Sequence, residues 1–239
     1  MSPSPFLGEF AGTALLLTMG CGVVANVVLN KTKGNNSGWI VITFGWAMAV
    51  FLGVFASTTM GGGGHLNPAV TIAMYFFNDG FDKALLPTYL GAQFAGAFVG
   101  ALVVWVCYKQ HFDETEDKGL RLAVFSTGPA IRNPFFNFLT EMIGTFILVF
   151  GALNMSPSET SLGTLNALPV ALLVLGIGLS LGGPTGYAIN PARDLGPRIA
   201  HFILPMKNKG SSDWSYCWVP ILGPIVGGLL GALLFYNVV

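Results

Sequence analysis

The tripeptide Asn-Pro-Ala occurs twice in long apolar sequence, as Asn67-Pro68-Ala69 and as Asn190-Pro191-Ala192. Each copy follows a Gly-rich break, GGGGHLNPAV in one case and GGPTGYAINPARD in the other. Asn is a strong helix N-cap and Pro is favoured at the first helical position, so both copies predict helix starts. Each is followed by too few apolar residues to cross a bilayer. The roughly 11 residues from Asn67 to Phe77 span about 16 Å, near half of a ~30 Å hydrocarbon core. Two such half-helices placed tip to tip complete one span and leave broken backbone at the membrane midplane. Irregular backbone survives there only where protein or a water-filled cavity satisfies it. The pattern predicts a pore.

Composition agrees with a membrane setting. Of 239 residues, 53% are hydrophobic and 9% charged, against about 25% charged in soluble domains. The 32 glycines suit helices that pack closely in lipid. Zero net charge argues against a nucleic-acid or polyanion partner. Cys21, Cys107 and Cys217 lie in apolar runs and read as small core residues, with no disulfide expected. The opening MSPSPFLGEF lacks the basic n-region of a signal peptide, so the first span is expected to be retained.

Apolar segments long enough to span fall at 6–28, 39–59, 84–108, 134–154, 166–183 and 216–238. The half-length segments, 67–77 and 190–203, follow the second and the fifth. The expected fold is an all-α membrane protein of six transmembrane helices plus two re-entrant half-helices. It forms one channel domain over 1–239, with repeat halves 1–115 and 133–239. The halves echo one another in Gly8-Glu9-Phe10-Ala11-Gly12-Thr13 and Thr140-Glu141-Met142-Ile143-Gly144-Thr145. An odd number of crossings per copy forces the second to enter with opposite orientation, an inverted repeat. The polar stretch 109–132 is expected to be a surface loop. Glu9 and Glu141 are ionisable groups inside spans, costly without partners. Each is expected to accept hydrogen bonds from backbone donors of the re-entrant loop in its own half; proton coupling is the competing role. Gly96 with Gly100, and Gly227 with Gly231, suit close helix crossings.

Two such boxes on inverted half-spans, a Glu in the first helix of each half, and Arg193 after the second box together resemble the major intrinsic protein family, the aquaporins. Asp194 within NPARDLGPR, and FSTGPAIRNP before the fourth span, resemble its glycerol-conducting branch. The resemblance implies a passive channel for glycerol, water and other small uncharged solutes that excludes ions and protons. It further implies a multi-pass protein of the plasma or inner cell membrane, in a lipid bilayer, assembled as a homotetramer. Nothing in the sequence suggests a cofactor or a metal site. Enzyme function is not expected, because no nucleophile, base and orienting group converge.

Within that resemblance Asn67 and Asn190 cap the half-helices and turn amide donors toward the pore. Each helix N-terminus adds about half a positive charge at the midplane, a barrier to cations and protons of the kind known for aquaporin-type pores. The loops before the boxes are expected to supply carbonyl acceptors, from Gly63, Gly64 and His65 on one side and Gly186, Tyr187 and Ala188 on the other. The alternative for His65 is a hydrogen-bonded core histidine. Family positions place the narrowest ring at Trp46, Gly178, Tyr187 and Arg193, with Arg193 donating to solute hydroxyls and the aromatics facing solute carbon. Trp46 and Tyr187 have bilayer-interface roles as alternatives. Asp194 is expected to hold the loop open. Water-selective relatives typically carry His where this chain has Gly178, so the ring is expected to be wide. Tyr187, where the bacterial glycerol facilitator has Phe, adds either a hydroxyl or a carbonyl. A water-selective channel remains the first alternative and a coupled secondary transporter the second. The loop Lys and Arg residues favour termini outside by the positive-inside rule, whereas the resemblance implies termini inside.

Overall fold

The structure is a computed structural model that describes residues 3–155, 163–207 and 209–238. Among the described residues every regular element is helical. In chain order these are α1 (Pro5–Val28), α2 (Trp39–Thr59), α3 (Pro68–Phe77), α4 (Leu86–Cys107), α5 (Lys109–Glu114), α6 (Lys118–Phe125), α7 (Pro134–Asn154), α8 (Leu168–Leu181), α9 (Pro191–Ile203) and α10 (Val219–Val238). Single 3-10 turns precede α4 and α8.

Among the described residues five helical segments are long and apolar enough to cross a membrane: α1, α2, Lys83–Cys107, α7 and α10. The fifth expected span, 166–183, is shorter than anticipated. Its helix, α8, has 14 residues, or about 21 Å. Pro169 sits in its first turn and the Gly182-Gly183 pair ends it, which accounts for both limits. The part of the 155–165 loop from 156 to 162 lies outside the described residues.

Small residues set how the helices cross. In α4, a Cβ added at Gly96 would stand 2.4 Å from the Phe10 carbonyl oxygen of α1, and one at Gly100 2.6 Å from that of Ala14. In α10, one at Gly227 would stand 2.0 Å from the Met142 carbonyl oxygen of α7, and one at Gly231 2.8 Å from that of Phe146. The same contact thus recurs between the first and last long helices of each half. The half-helices exchange sides: α3 packs on α10 and α9 on α4. The bundle interior is closed by Leu17, Ala25, Ala101 and Val104, while Phe44, Phe76, Val106, Phe135 and Leu172 stay exposed. Exposed apolar side chains on this scale suit a helix surface that meets lipid.

The segment 109–132 departs from the expected surface loop. It forms α5 and α6, with Asp117 capping α6 and Phe112, Val124 and Phe125 buried. Arg121 donates to the carbonyl oxygens of Thr115 and Lys207, which fastens this lid to the loop after α9. Of the cysteines only Cys21 is a core residue; Cys107, the last residue of α4, is exposed, and Cys217, in the turn before α10, is half-buried.

Candidate functional site

The tips of α3 and α9 meet. Asn67 Oδ1 accepts from the Ala69 N–H at 2.9 Å, and Asn190 Oδ1 from those of Ala192 and Arg193 at 3.0 and 3.2 Å. Capping uses the oxygen and leaves each amide nitrogen to donate. Asn67 Nδ2 donates to the Ile189 carbonyl oxygen and Asn190 Nδ2 to that of Leu66, both at 2.8 Å. Each half-helix is therefore tied to the loop that leads into the other.

The two buried glutamates hold those loops from behind. Glu9 accepts from the His65 N–H at 3.0 Å and the Leu66 N–H at 2.8 Å. Glu141 accepts from the Ala188 N–H at 3.0 Å and the Ile189 N–H at 2.7 Å. Ser57 and Gln93 add side-chain donors at Glu9, at 3.1 and 2.8 Å. The pull is needed because Leu66, Tyr187 and Ile189 stand at φ of 51°, 40° and 43°, left-handed conformations that cost about 1–3 kcal/mol each.

The direction of the carbonyls follows. Among the described residues no peptide bond is cis, so the C=O of each peptide points opposite to its N–H. With the N–H groups of residues 65, 66, 188 and 189 turned back to carboxylates, the carbonyls of Gly64, His65, Tyr187 and Ala188 face forward. All four residues border a cavity of about 140 Å³. Asn67, Asn190, Leu66 and Ile189 line it at the junction, and Val50, Val54, Val70, Leu148, Val170 and Val174 form an apolar wall. One side thus offers a row of hydrogen-bonding groups and the other only hydrocarbon. Gly63 and Gly186 do not border this cavity.

Arg193 and Trp46 also border it, both buried. The Arg193 guanidinium lies 4.2 Å above the Trp46 ring, a stacked cation–π contact. Its Nη1 donates to the Phe125 carbonyl oxygen at 3.3 Å. At 5% exposure, Trp46 is no interface aromatic.

Gly178 stands behind this group rather than on the cavity surface. A Cβ there would come within 2.8 Å of Tyr187 Cζ and 3.0 Å of a Thr43 methyl. The missing side chain is filled by the Tyr187 ring, which Trp39 meets edge-on at 5.8 Å between centroids. The Tyr187 hydroxyl is buried without a protein partner, while its carbonyl lies opposite the Ala188 N–H that Glu141 holds. His65 is half-buried, its Nδ1 3.1 Å from Thr71 Oγ1, with its ring against Phe81 and Tyr89. It also borders the cavity.

Asp194 lies off the cavity. Its Oδ2 accepts from the N–H and the hydroxyl of Thr127, both at 2.8 Å, and its Oδ1 faces Arg198. Further out, Arg132 pairs with Asp213 and stacks over Tyr216. Burial opposes ionisation of Asp213, but hydrogen bonds from Arg132 and Ser215 outweigh it and hold its carboxyl below the usual range. Among the described residues no group of three His, Cys, Asp or Glu side chains is placed to hold a metal ion.

A family model described as Major intrinsic protein matches residues 3–235. The chain belongs to this family. Within it, the chain is 56% identical over 229 residues to glycerol uptake facilitator protein 3 of Lactiplantibacillus plantarum, covering 96% of this chain and 94% of that one. It is also 56% identical to a probable glycerol uptake facilitator of Thermotoga maritima, covering 97% and 98%. Among solved structures, the aquaglyceroporin of Plasmodium falciparum superposes with a TM-score of 0.85 at 33% identity, covering 98% of this chain and 95% of that one. The chain is thus an all-α, aquaporin-like, multi-pass membrane channel and not an enzyme.

Several residues of the site carry no sequence signal that singled them out. Leu66 and Ile189 are apolar, and their carbonyls do the work. Phe125 acts through its carbonyl, Thr127 lies in the apparent linker, Gln93 shows only as a polar residue inside an apolar helix, and Arg198 only as one of several polar residues in α9.

Proposed function

We propose that this protein is a passive channel for glycerol, water and other small uncharged solutes that excludes ions and protons. The observation that carries the reading is the junction of the half-helices. Two Asn amides stand beside two rows of forward-facing carbonyls, opposite an apolar wall, with Arg193 and Trp46 at one end. A polyol has a hydroxyl edge and a hydrocarbon edge, and this lining offers a partner to each. The positive helix ends at the Asn tips and the Arg193 charge repel cations, while neutral solutes cross without a charge penalty. The names of the relatives agree with glycerol as permeant.

In this reading Asn67 and Asn190 orient the passing hydroxyl; Trp46, Tyr187 and Arg193 select, with Gly178 giving the Tyr187 ring its place. Glu9, Glu141 and Asp194 are structural supports. One channel domain holds two related halves, 1–115 and 133–239, and the channel assembles as a homotetramer in the cell membrane. Termini face the cytoplasm. This orientation follows the family resemblance, against the loop Lys and Arg bias.

The test is stopped-flow light scattering on proteoliposomes across a size series of polyols. Fast glycerol entry that declines through four-, five- and six-carbon polyols is the expected result. Vesicles that pass water and hold back glycerol would identify a water-selective channel instead.

A further inference from the structure

Arg198 is fully buried and does not border the cavity. Its Nε donates to Asp194 Oδ1 at 2.8 Å, and Nη2 pairs with the same oxygen at 2.7 Å. Nη1 donates to the carbonyl oxygens of Ser212 at 2.7 Å and Asp213 at 3.0 Å. Nη2 donates in addition to the Thr127 carbonyl oxygen at 3.1 Å. Of the five N–H donors available to a guanidinium, four make hydrogen bonds, and the group is ion-paired with Asp194 as well. It joins three segments: α9, the 126–128 turn after α6, and the turn before α10.

Those bonds converge on Thr127. Its N–H and hydroxyl donate to Asp194, and its carbonyl accepts from Arg198. Two residues earlier, the Phe125 carbonyl accepts from Arg193. At the other end Arg193 is joined covalently to Asp194. The backbone from which Arg193 projects and the turn that receives its tip are thus fixed by one ion pair. A buried pair contributes little net stability, because desolvation offsets attraction, and a geometric role suits it better.

We propose that Arg198 is a positioning residue for permeation. It sets the distance between α9 and the Phe125 carbonyl, and so fixes where the Arg193 guanidinium stands over Trp46. This rests on reading Arg193 as the selecting group. Lys at position 198 keeps the charge but lacks the fork needed to reach Asp194, Thr127, Ser212 and Asp213 together. The turn then relaxes, Arg193 loses a fixed acceptor, and the passage tolerates wider solutes.

The experiment compares wild type, Arg198→Lys, Arg193→Ala and the double variant in proteoliposomes of matched protein content, reading the ratio of erythritol to glycerol permeability. The proposal expects Arg193→Ala and Arg198→Lys each to raise the ratio at least about threefold, and Arg198→Lys to add nothing in the Arg193→Ala background. A merely structural role would lower both fluxes in proportion and leave the ratio unchanged, which would overturn the proposal. So would a full Arg198→Lys effect in the double variant. If Arg193→Ala itself keeps the wild-type ratio, the reading of Arg193 as the selecting group fails, and the proposal with it. Should Arg198→Lys not fold, Thr127→Val removes only the hydroxyl bond to Asp194. A smaller rise in the ratio supports the proposal, and no rise overturns it.

Discussion

Behind Asn67, α3 continues as Pro-Ala-Val-Thr-Ile-Ala-Met, with Thr71 as its buried polar residue. Behind Asn190, α9 carries Arg193, Asp194, Arg198 and His201, all buried. The tips themselves are near mirror images: the same cap, the same crossed amide bond, the same carboxylate behind the loop. One scaffold therefore serves two tasks. The α3 side supplies shape through a neutral network of Ser57, Gln93 and Thr71 around Glu9. Under the proposed function the α9 side supplies shape and, through its charges, discrimination.

If that division holds, damage on the α3 side is read in stability and damage on the α9 side in selectivity. The largest effect is expected from Glu9→Ala, which strands two backbone N–H groups, Ser57 and Gln93 in a fully buried site. A loss of about 3–5 kcal/mol is expected, visible as a collapsed thermal transition in detergent. Gly227→Ala follows, because its Cβ would stand 2.0 Å from backbone in α7. Overpacking of that kind costs about 1–3 kcal/mol, again read by melting, with selectivity unchanged in the surviving protein.

On the α9 side, Arg193→Ala is expected to leave melting nearly unchanged and to shift polyol discrimination by about tenfold, the equivalent of one charge-assisted hydrogen bond. Gly178→His is expected to cut glycerol flux more than water flux, by displacing the Tyr187 ring into the passage. Equal losses in both fluxes would mean that this ring does not set the width. The smallest effect belongs to Asp213. Its lowered pKa means that the Arg132 pair contributes stability above the ordinary carboxylate value and loses it as pH falls through the depressed one. Melting from pH 7 to below about pH 4 is expected to expose under about 1 kcal/mol, since the pair is screened by solvent. Arg132→Gln should weaken that dependence, leaving only the contribution of Ser215 and Arg198.

The scaffold was largely legible in the sequence, because it is written in capping and length. Asn-Pro starts at half-span spacing gave α3 and α9, and paired intramembrane carboxylates gave the loop supports. Gly spacing gave the α1–α4 and α7–α10 crossings. What escaped was written in backbone direction or in distant contacts. Leu66 and Ile189 look like ordinary apolar residues, yet their carbonyls hold the opposite Asn. Gly178 suggested open space, but the ring nine residues later fills it. The polar run 109–132 concealed Phe112, Val124 and Phe125, an apolar face broken across two short helices that are each too brief to show a clear period.

The central claim is that solute moves down its own gradient through a fixed conduit at the Asn67–Asn190 junction. Glycerol flux into proteoliposomes, measured over a wide range of glycerol gradients with and without an imposed proton gradient, tests it most directly. The account predicts flux proportional to the glycerol gradient, indifferent to the proton gradient, and unaccompanied by current. Flux that saturates and follows the proton gradient would contradict it, and would return Glu9 and Glu141 to a coupling role.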